Sequence, residues 1–212
     1  MNKASAVGFK GELVTKVIRA PKANLGWRLK NYSRWSFIIG WIQYWLAKLL
    51  SRTFGILTIT SELKAVLVKA DGSRVNYGIL SHKLVTDAGV AFLVDDWDGG
   101  ANDFSLFNYH GCGTGSVAEN VADTALGTES TTILNPDSTR ATGTKSQPTA
   151  SQMRTVGTAT FDGAGAITEH GIFTQAATGG GTLWDRSVFT AINVASGDSI
   201  QFTYTCTINS GG

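Results

Sequence analysis

The most regular alternation of apolar and polar residues lies near the end of the chain. There, apolar side chains occupy one face of a predicted strand, and threonine and glutamine occupy the other. The apolar face consists of Ile200, Phe202, Tyr204, Cys206 and Ile208. Because successive side chains of a strand point to opposite faces, this period of two predicts a half-buried strand. We expect Cys206 to face inward as a small apolar residue.

Further alternating runs precede this strand, with turn sequences between them. Asp-Gly in the segment Ala70-Asp71-Gly72-Ser73 favours a type I′ hairpin turn, which needs positive φ at both central residues. Asp162-Gly163-Ala164-Gly165 predicts a second hairpin, and Ala195-Ser196-Gly197-Asp198 predicts a turn before the last strand. About eight short strands predict a mainly β fold, an antiparallel β-sandwich or jelly-roll-like body.

Three segments between these runs have weaker patterns. We predict a short helix from Asp87 to Trp97 with Asp87 as its cap, and a strand at 104–109. Threonine-rich strands are predicted at 131–144 and 153–161, and Ser146-Gln147-Pro148 separates them.

Over residues 27–50 the spacing of apolar residues changes from that of a strand to that of a helix. Apolar residues recur there at i, i+3, i+4 and i+7, a spacing that places them on one helix face. They are Trp35, Ile38, Ile39, Ile42, Trp45, Leu46 and Leu49. We therefore divide the chain into a basic, Trp-rich N-terminal arm with an apolar helix (1–53) and an antiparallel β body (54–212).

Charge divides the chain at the same place. The 212 residues carry a net charge of +2, but residues 1–52 hold ten basic residues and one acidic residue. The other 160 residues hold eight basic and fifteen acidic residues, so the arm is +9 and the rest is −7. Such an arm suits an acidic protein surface, a membrane surface or nucleic acid. The acidic body of a neighbouring copy is one such protein surface.

The sequence of the arm helix is compatible with two surroundings, an interface between protein subunits and a membrane. Its nearly uncharged run from Trp35 to Leu50 has 16 residues. With a rise of about 1.5 Å per residue, a helix of this length spans roughly 24 Å, which is less than the roughly 30 Å thickness of the hydrocarbon core of a bilayer. We favour burial between protein subunits over an interfacial or spanning position in a membrane. The tryptophans lie among Ile and Leu rather than among basic residues, which disfavours base stacking and nucleic acid. The candidate partner-binding residues are Trp27, Trp35, Ile38, Ile39, Trp41, Ile42, Trp45 and Leu49.

No motif predicts catalysis. The run from Gly111 to Gly115 lacks the ending of a phosphate-binding loop, so we interpret it as a turn that needs positive φ. His110 and Cys112 supply too few ligands for a metal and have no further partner at a recognisable spacing. We interpret His170, which follows Glu169, as a charge-paired histidine at an interface rather than as a general base. We therefore predict no enzyme activity, no cofactor and no small-molecule substrate.

Acidic residues cluster at the end of the predicted short helix and just beyond it. Asp95, Asp96, Asp98 and Asp103 surround Gly99-Gly100. Carboxylates of this kind bind calcium when their spacing alternates and a glutamate closes the loop, and this run has neither feature. We interpret them as solvated acids at the end of a helix, and we predict no metal site.

Several short sequence segments resemble those of an uncharacterised family of virion structural proteins from tailed bacteriophages. The resemblance covers about residues 56–208 and rests on GILSHKLVTDAGVAFLVD, NYHGCGTG, TALGTE, STRATGT, TEHGIFT, LWDRSVF and GDSIQFTYT, in that order. It implies a location in the virion, with other virion proteins and copies of the same chain as partners. Within that class we favour a capsid decoration or cement protein over a tail, collar or baseplate component. A membrane-interacting protein is the alternative of another class.

Overall fold

The computed structural model describes residues 57–82 and 84–210, together with the helical positions Ile42, Trp45, Leu46, Leu49 and Phe54. In this part of the chain, ten strands form two five-stranded antiparallel sheets that pack face to face. The prediction of a mainly β, antiparallel sandwich is therefore confirmed.

The first sheet has the strand order β2-β1-β10-β7-β6. Its strands are β1 (Thr58–Val68), β2 (Arg74–His82), β6 (Thr144–Thr149), β7 (Gln152–Thr160) and β10 (Ser199–Asn209). The second sheet has the order β3-β9-β8-β4-β5. Its strands are β3 (Leu84–Val85), β4 (Tyr109–Gly113), β5 (Ala141–Thr142), β8 (Gly165–Phe173) and β9 (Leu183–Val194). Helix α1 (Asp87–Trp97) and a 3₁₀ turn (Phe104–Leu106) lie between β3 and β4.

Strand β10 lies at the centre of the first sheet, as its regular alternation suggests. Ile200, Phe202, Tyr204 and Cys206 are buried, so the predicted inward face is confirmed for these four. Ile208 is 42% exposed because the strand continues past the edge of the core. The threonines between them line the outer face and are only half-buried.

The core between the sheets has two main clusters. Leu63 and Leu67 of β1 pack with Ile167 and Ile192 of the second sheet in the larger cluster. The smaller cluster lies beside α1, and at its centre the indole Nε1–H of Trp184 donates to the Tyr204 hydroxyl at 2.6 Å. This bond satisfies the polar atom of a buried tryptophan, as a buried indole N–H requires.

The hairpin between β1 and β2 is confirmed, but its predicted turn type is wrong. Gly72 has φ +81°, whereas Asp71 is not among the residues with positive φ. The turn is closed instead by Gly72 N–H donating to the Lys69 carbonyl at 2.8 Å. The Asp71 carboxylate accepts from Ser73 N–H at 2.8 Å, which favours an ordinary backbone conformation at Asp71.

The second predicted hairpin, at residues 162–165, is wrong. Strand β7 belongs to the first sheet and β8 to the second, so this segment crosses between sheets. The turn at 195–198 crosses back from β9 to β10. The Asp198 carboxylate joins this second crossing to the first hairpin, accepting from Ala195 N–H, from Ala70 N–H and from the Lys69 ammonium.

Three other boundaries differ from the predictions. The segment predicted as a strand at 104–109 forms the 3₁₀ turn, and β4 begins only at Tyr109. The segment 131–144 contributes only β5 and the start of β6. Pro148 lies inside β6 rather than between strands, which an edge strand tolerates because its outer N–H groups need no partner.

Candidate assembly surface

The described residues of the arm are helical and expose large apolar side chains. The exposed fractions are 44% for Ile42, 50% for Trp45, 49% for Leu46 and 60% for Leu49. Their spacing of i, i+3, i+4 and i+7 is the one that predicted a helix there. Phe54 is also helical and is 68% exposed.

Trp45 is placed against the outer surface of the first sheet. It lines a groove of about 330 Å³ together with Thr60 and Glu62 of β1 and with Thr205 and Thr207 of β10. The indole therefore lies over a polar strand surface, which leaves half of its own surface in solvent.

Of the predicted partner-binding residues, the structure describes Ile42, Trp45 and Leu49. They come together on one exposed helical face. The other five, Trp27, Trp35, Ile38, Ile39 and Trp41, lie outside the described residues, as does most of the arm.

Helix α1 carries a second exposed apolar surface. Val90, Val94 and Trp97 are 46%, 58% and 82% exposed, and their spacing of four and three places them on one face. The opposite face buries Gly89 and Phe92 against the sandwich. Sequence reasoning found this helix but did not single out its outer face, although the spacing of 90, 94 and 97 was visible.

The N-terminus of α1 is fixed to strand β9. The cap is Thr86 rather than the predicted Asp87: its hydroxyl accepts from Gly89 N–H at 3.0 Å and donates to the Leu183 carbonyl at 2.6 Å. A Cβ on Gly89 would lie 2.7 Å from the Trp184 carbonyl oxygen, so the helix backbone lies directly on β9. This attachment holds the outer face of α1 in a fixed position.

The acidic cluster at the C-terminal end of α1 organises the chain that follows it. Asp95 accepts from Asn102 N–H at 3.2 Å, and Asp96 accepts from Phe104 N–H at 3.1 Å. Ser105 hydrogen bonds lower the pKa of the Asp103 carboxyl. These carboxylates thus stabilise a loop, and Asp95 and Asp98 are exposed as the sequence suggested.

A buried ion pair on the outer face of the second sheet holds a long loop in place. Glu169 of β8 is fully buried and pairs with Arg186 of β9 at 2.8 Å. The carboxylate also accepts from the N–H groups of Gly115, Gly127 and Thr128 at 2.9, 2.8 and 2.7 Å. Adjacent strand residues point to opposite faces, so His170 lies inside the sandwich against His110 and Phe202, and the prediction that it lies at an interface is wrong.

The signal for this pair was present in the sequence. Glu169 and Arg186 each lie in a run that is mostly buried, AITEHGIF in β8 and LWDRSVF in β9. Charged residues are rarely buried unless they are paired. Burial opposes the charge of Arg186, but hydrogen bonds to Asp123 and Glu169 more than offset it and raise its pKa.

The glycines of β4 and the following loop serve close packing rather than a turn. None of Gly111, Gly113 and Gly115 has positive φ, so that interpretation is wrong. A Cβ on Gly113 would lie 2.2 Å from the Thr128 carbonyl oxygen, and one on Gly115 would lie 2.4 Å from the Glu169 carboxylate. The loop reaches the buried carboxylate only because these residues lack side chains.

A second buried arginine ties the neighbouring loops together. Arg140 donates to both oxygens of Glu129, at 2.5 and 2.9 Å, and to the carbonyl oxygens of Gln175 and Gly180. Its guanidinium carbon lies 3.5 Å from the centre of the Phe173 ring. The outer face of the second sheet is therefore covered by loops held with charge-assisted hydrogen bonds.

The two histidines of the sandwich interior contact each other. His110 Nδ1 and His170 Nε2 are 3.0 Å apart, and both residues are buried. His110 Nε2 lies 3.2 Å from the Thr155 hydroxyl. Cys112 packs into the apolar core, where burial raises its pKa to about 12, so its thiol is not activated.

Within residues 57–82 and 84–210, no three His, Cys, Asp or Glu side chains are grouped to hold a metal ion. Among the helical residues that the structure describes, no helix is long and apolar enough to cross a membrane. Comparisons with protein families, with curated proteins and with solved structures gave no match for this chain.

Proposed function

We propose that this chain is a structural protein of a tailed-bacteriophage particle. It acts as a capsid decoration or cement protein, and its N-terminal arm attaches it to neighbouring subunits. The observation that carries the proposal is the exposed helical face of Ile42, Trp45, Leu46 and Leu49. A soluble protein that stays monomeric rarely leaves such a set of large apolar side chains in contact with water.

The energetics favour apolar contact as the main source of attachment. Fully burying one large apolar side chain contributes about 1.5–3 kcal/mol, whereas an exposed ion pair contributes about 0–1 kcal/mol. Four side chains that are already about half exposed therefore outweigh a few ion pairs between a basic arm and an acidic body. Ordering the arm has an entropic cost that reduces this gain.

The buried charges of the body support a structural role. Glu169, Arg186, Glu129 and Arg140 are all occupied in fixing loops to the second sheet. Such satisfied networks make a surface rigid. A rigid body with a separate apolar attachment segment is suited to reinforcing a larger assembly.

The experiment compares two full-length double variants in particle assembly. Ile42→Ser with Leu49→Ser removes half of the exposed helical face and should abolish incorporation into particles. Lys16→Gln with Arg19→Gln is the matched control, with two substitutions in the same arm, and should weaken incorporation only modestly. The reverse ranking would contradict the proposal and indicate an acidic surface or nucleic acid as the arm's partner.

Fractionation of purified particles tests the location. The chain should copurify with heads under conditions that separate heads from tails. Copurification with tails would replace capsid decoration by a tail, collar or baseplate role, and absence from particles would overturn the virion assignment.

A membrane-interacting protein is the second candidate, and the same helical face favours it. Apolar side chains flanked by Lys48 and Arg52 suit an interfacial helix. Flotation of the full-length protein with anionic vesicles, abolished by Ile42→Ser with Leu49→Ser, would support this candidate over the virion role.

A further inference from the structure

Helix α1 presents an apolar stripe with acidic residues on its borders. Val90, Val94 and Trp97 form the stripe, and Trp97 is the most exposed of them at 82%. Asp87 lies at the start of the helix, with Asp95 and Asp98 at its end, and all three are exposed. We name this surface, Val90, Val94 and Trp97 with these aspartates, the α1 face.

The negative charge of the α1 face is not neutralised from within the described chain. From residue 84 to residue 109 the sequence has five aspartates and neither lysine nor arginine. The last turn of α1 holds no basic residue, although the carboxyl end of a helix favours one. Among the described ion pairs, none involves Asp95, Asp96 or Asp98.

One segment of the chain has the complementary composition. Residues 27–41 contain Arg28, Lys30 and Arg34 and no acidic residue. The same segment contains Trp27, Trp35 and Trp41. It therefore offers both the apolar groups that would cover the stripe and the positive charge that would balance its border.

The described part of the same arm is placed elsewhere. Trp45 lies over the outer surface of the first sheet, beside Thr60 and Thr205. Helix α1 packs on β9 of the second sheet, and Val94 remains 58% exposed in the presence of the described arm residues. Because these arm residues leave α1 exposed, we look to a second copy of the chain for the segment that covers it.

From this complementarity we propose that the α1 face is the docking surface for residues 27–41 of a neighbouring copy. The inference rests on the proposed structural function and specifies which two surfaces are in contact. The contact joins two different surfaces, the arm of one copy and the α1 face of the next. Such head-to-tail contacts produce rings or open chains rather than simple twofold dimers.

Two complementary full-length variants test the contact. Val94→Ser with Trp97→Ser removes the receiving face, and Trp35→Ser with Trp41→Ser removes the docking segment. Sedimentation of each variant alone should give the monomer mass of 22.5 kDa, whereas the unmodified chain assembles. An equimolar mixture should give a complex of twice that mass and no larger one, because each pair retains only one intact contact.

The control variant is Val75→Ser with Ile79→Ser, which changes two exposed apolar residues of β2 and should assemble like the unmodified chain. If the Val94→Ser, Trp97→Ser variant also assembles fully, the α1 face is not the docking surface and the inference is overturned. A mixture that stays monomeric overturns docking between copies. An unmodified chain that sediments as a monomer likewise overturns docking between copies, whereas failure of the proposed function is recognised separately, by absence of the chain from purified particles.

Discussion

Glu169 of β8 and Arg186 of β9 form an ion pair in which both the Nε and Nη2 atoms of Arg186 donate to one carboxylate oxygen, Oε2, at 3.0 and 2.8 Å. The contact is diagonal, because Arg186 lies opposite Gly171 in the strand register. The other oxygen accepts from the backbone of the loop that covers this face. The pair therefore connects two strands of the sheet to the glycine-rich loop outside it. Its loss would expose the surface that the loop covers.

Glu169→Gln should destabilise the protein by about 3–5 kcal/mol, because it leaves the buried Arg186 without one of its partners. The measurement is the free energy of unfolding in denaturant. Lys64→Gln is the control: it breaks the exposed pair with Glu62, where the lysine side chain is 51% exposed, and should cost less than about 1 kcal/mol. Equal effects of the two substitutions would contradict a structural role for the buried pair.

Gly113→Ala should destabilise the fold by about 1–3 kcal/mol, since the new methyl group would meet the Thr128 carbonyl oxygen, a backbone atom that cannot move aside. Gly165→Ala provides a matched comparison. Its closest neighbour is the flexible end of the Ile133 side chain, so thermal unfolding should show little change. A harmless Gly113→Ala would mean that the loop does not lie as close as described.

Acid should weaken the connection made by Asp198. The hydrogen bond from Lys69 lowers the pKa of the Asp198 carboxyl, and backbone N–H groups of Ala195 and Ala70 add to the effect. A lowered folded-state pKa contributes stability above the unfolded pKa of about 4, and this stability is lost as pH falls through the folded pKa. Stability of the native protein should therefore decline below about pH 4 more steeply than that of Asp198→Asn. Lys69→Gln should reduce the difference, and parallel pH profiles for all three proteins would argue against this linkage.

Both cysteines should resist alkylation in the folded protein. Burial raises the pKa of Cys112 and of Cys206 to about 12. At pH 8 about one thiol in ten thousand is ionised, and the thiolate is the reactive form. Iodoacetamide followed by mass spectrometry should show no modification before unfolding and two additions after it. Thr158→Cys, at an exposed position of β7, provides a reactive control, and rapid labelling of native Cys112 would show that the core is more open than described.

The β body should fold without the arm. Among the described residues, its two main apolar clusters use side chains from Ile59 onward, and Leu63, Ile167 and Phe202 are fully buried in the larger one. A truncated chain beginning at Thr53 should unfold in one cooperative transition and give a β-type circular dichroism spectrum. An unfolded truncated chain would mean that the arm is part of the core, and the division at residue 53 would be wrong.

Local sequence determined those features that depend on neighbours along the chain. The alternation from Ile200 to Cys206 was sufficient to predict an inward face, because the side-chain period of a strand is two wherever it pairs. The Asp71-Gly72 hairpin and the helix from Asp87 to Trp97 were also predictable, because their signals lie within a few consecutive residues. The type of the turn and the cap residue of the helix were not predictable in this way. Each of those details depends on one hydrogen bond, from Ser73 N–H to the Asp71 carboxylate at the turn and from Gly89 N–H to the Thr86 hydroxyl at the cap.

Only the tertiary structure decided how the strands are shared between the sheets. The turn at 162–165 has the composition of a hairpin, yet it crosses from one sheet to the other, because strand pairing depends on residues far apart in sequence. The contact of His110 with His170 spans 60 residues, and no local pattern records it. The pairing of Glu169 with Arg186 likewise required two strands in register, since a buried charge in the sequence indicates that a partner exists without identifying it.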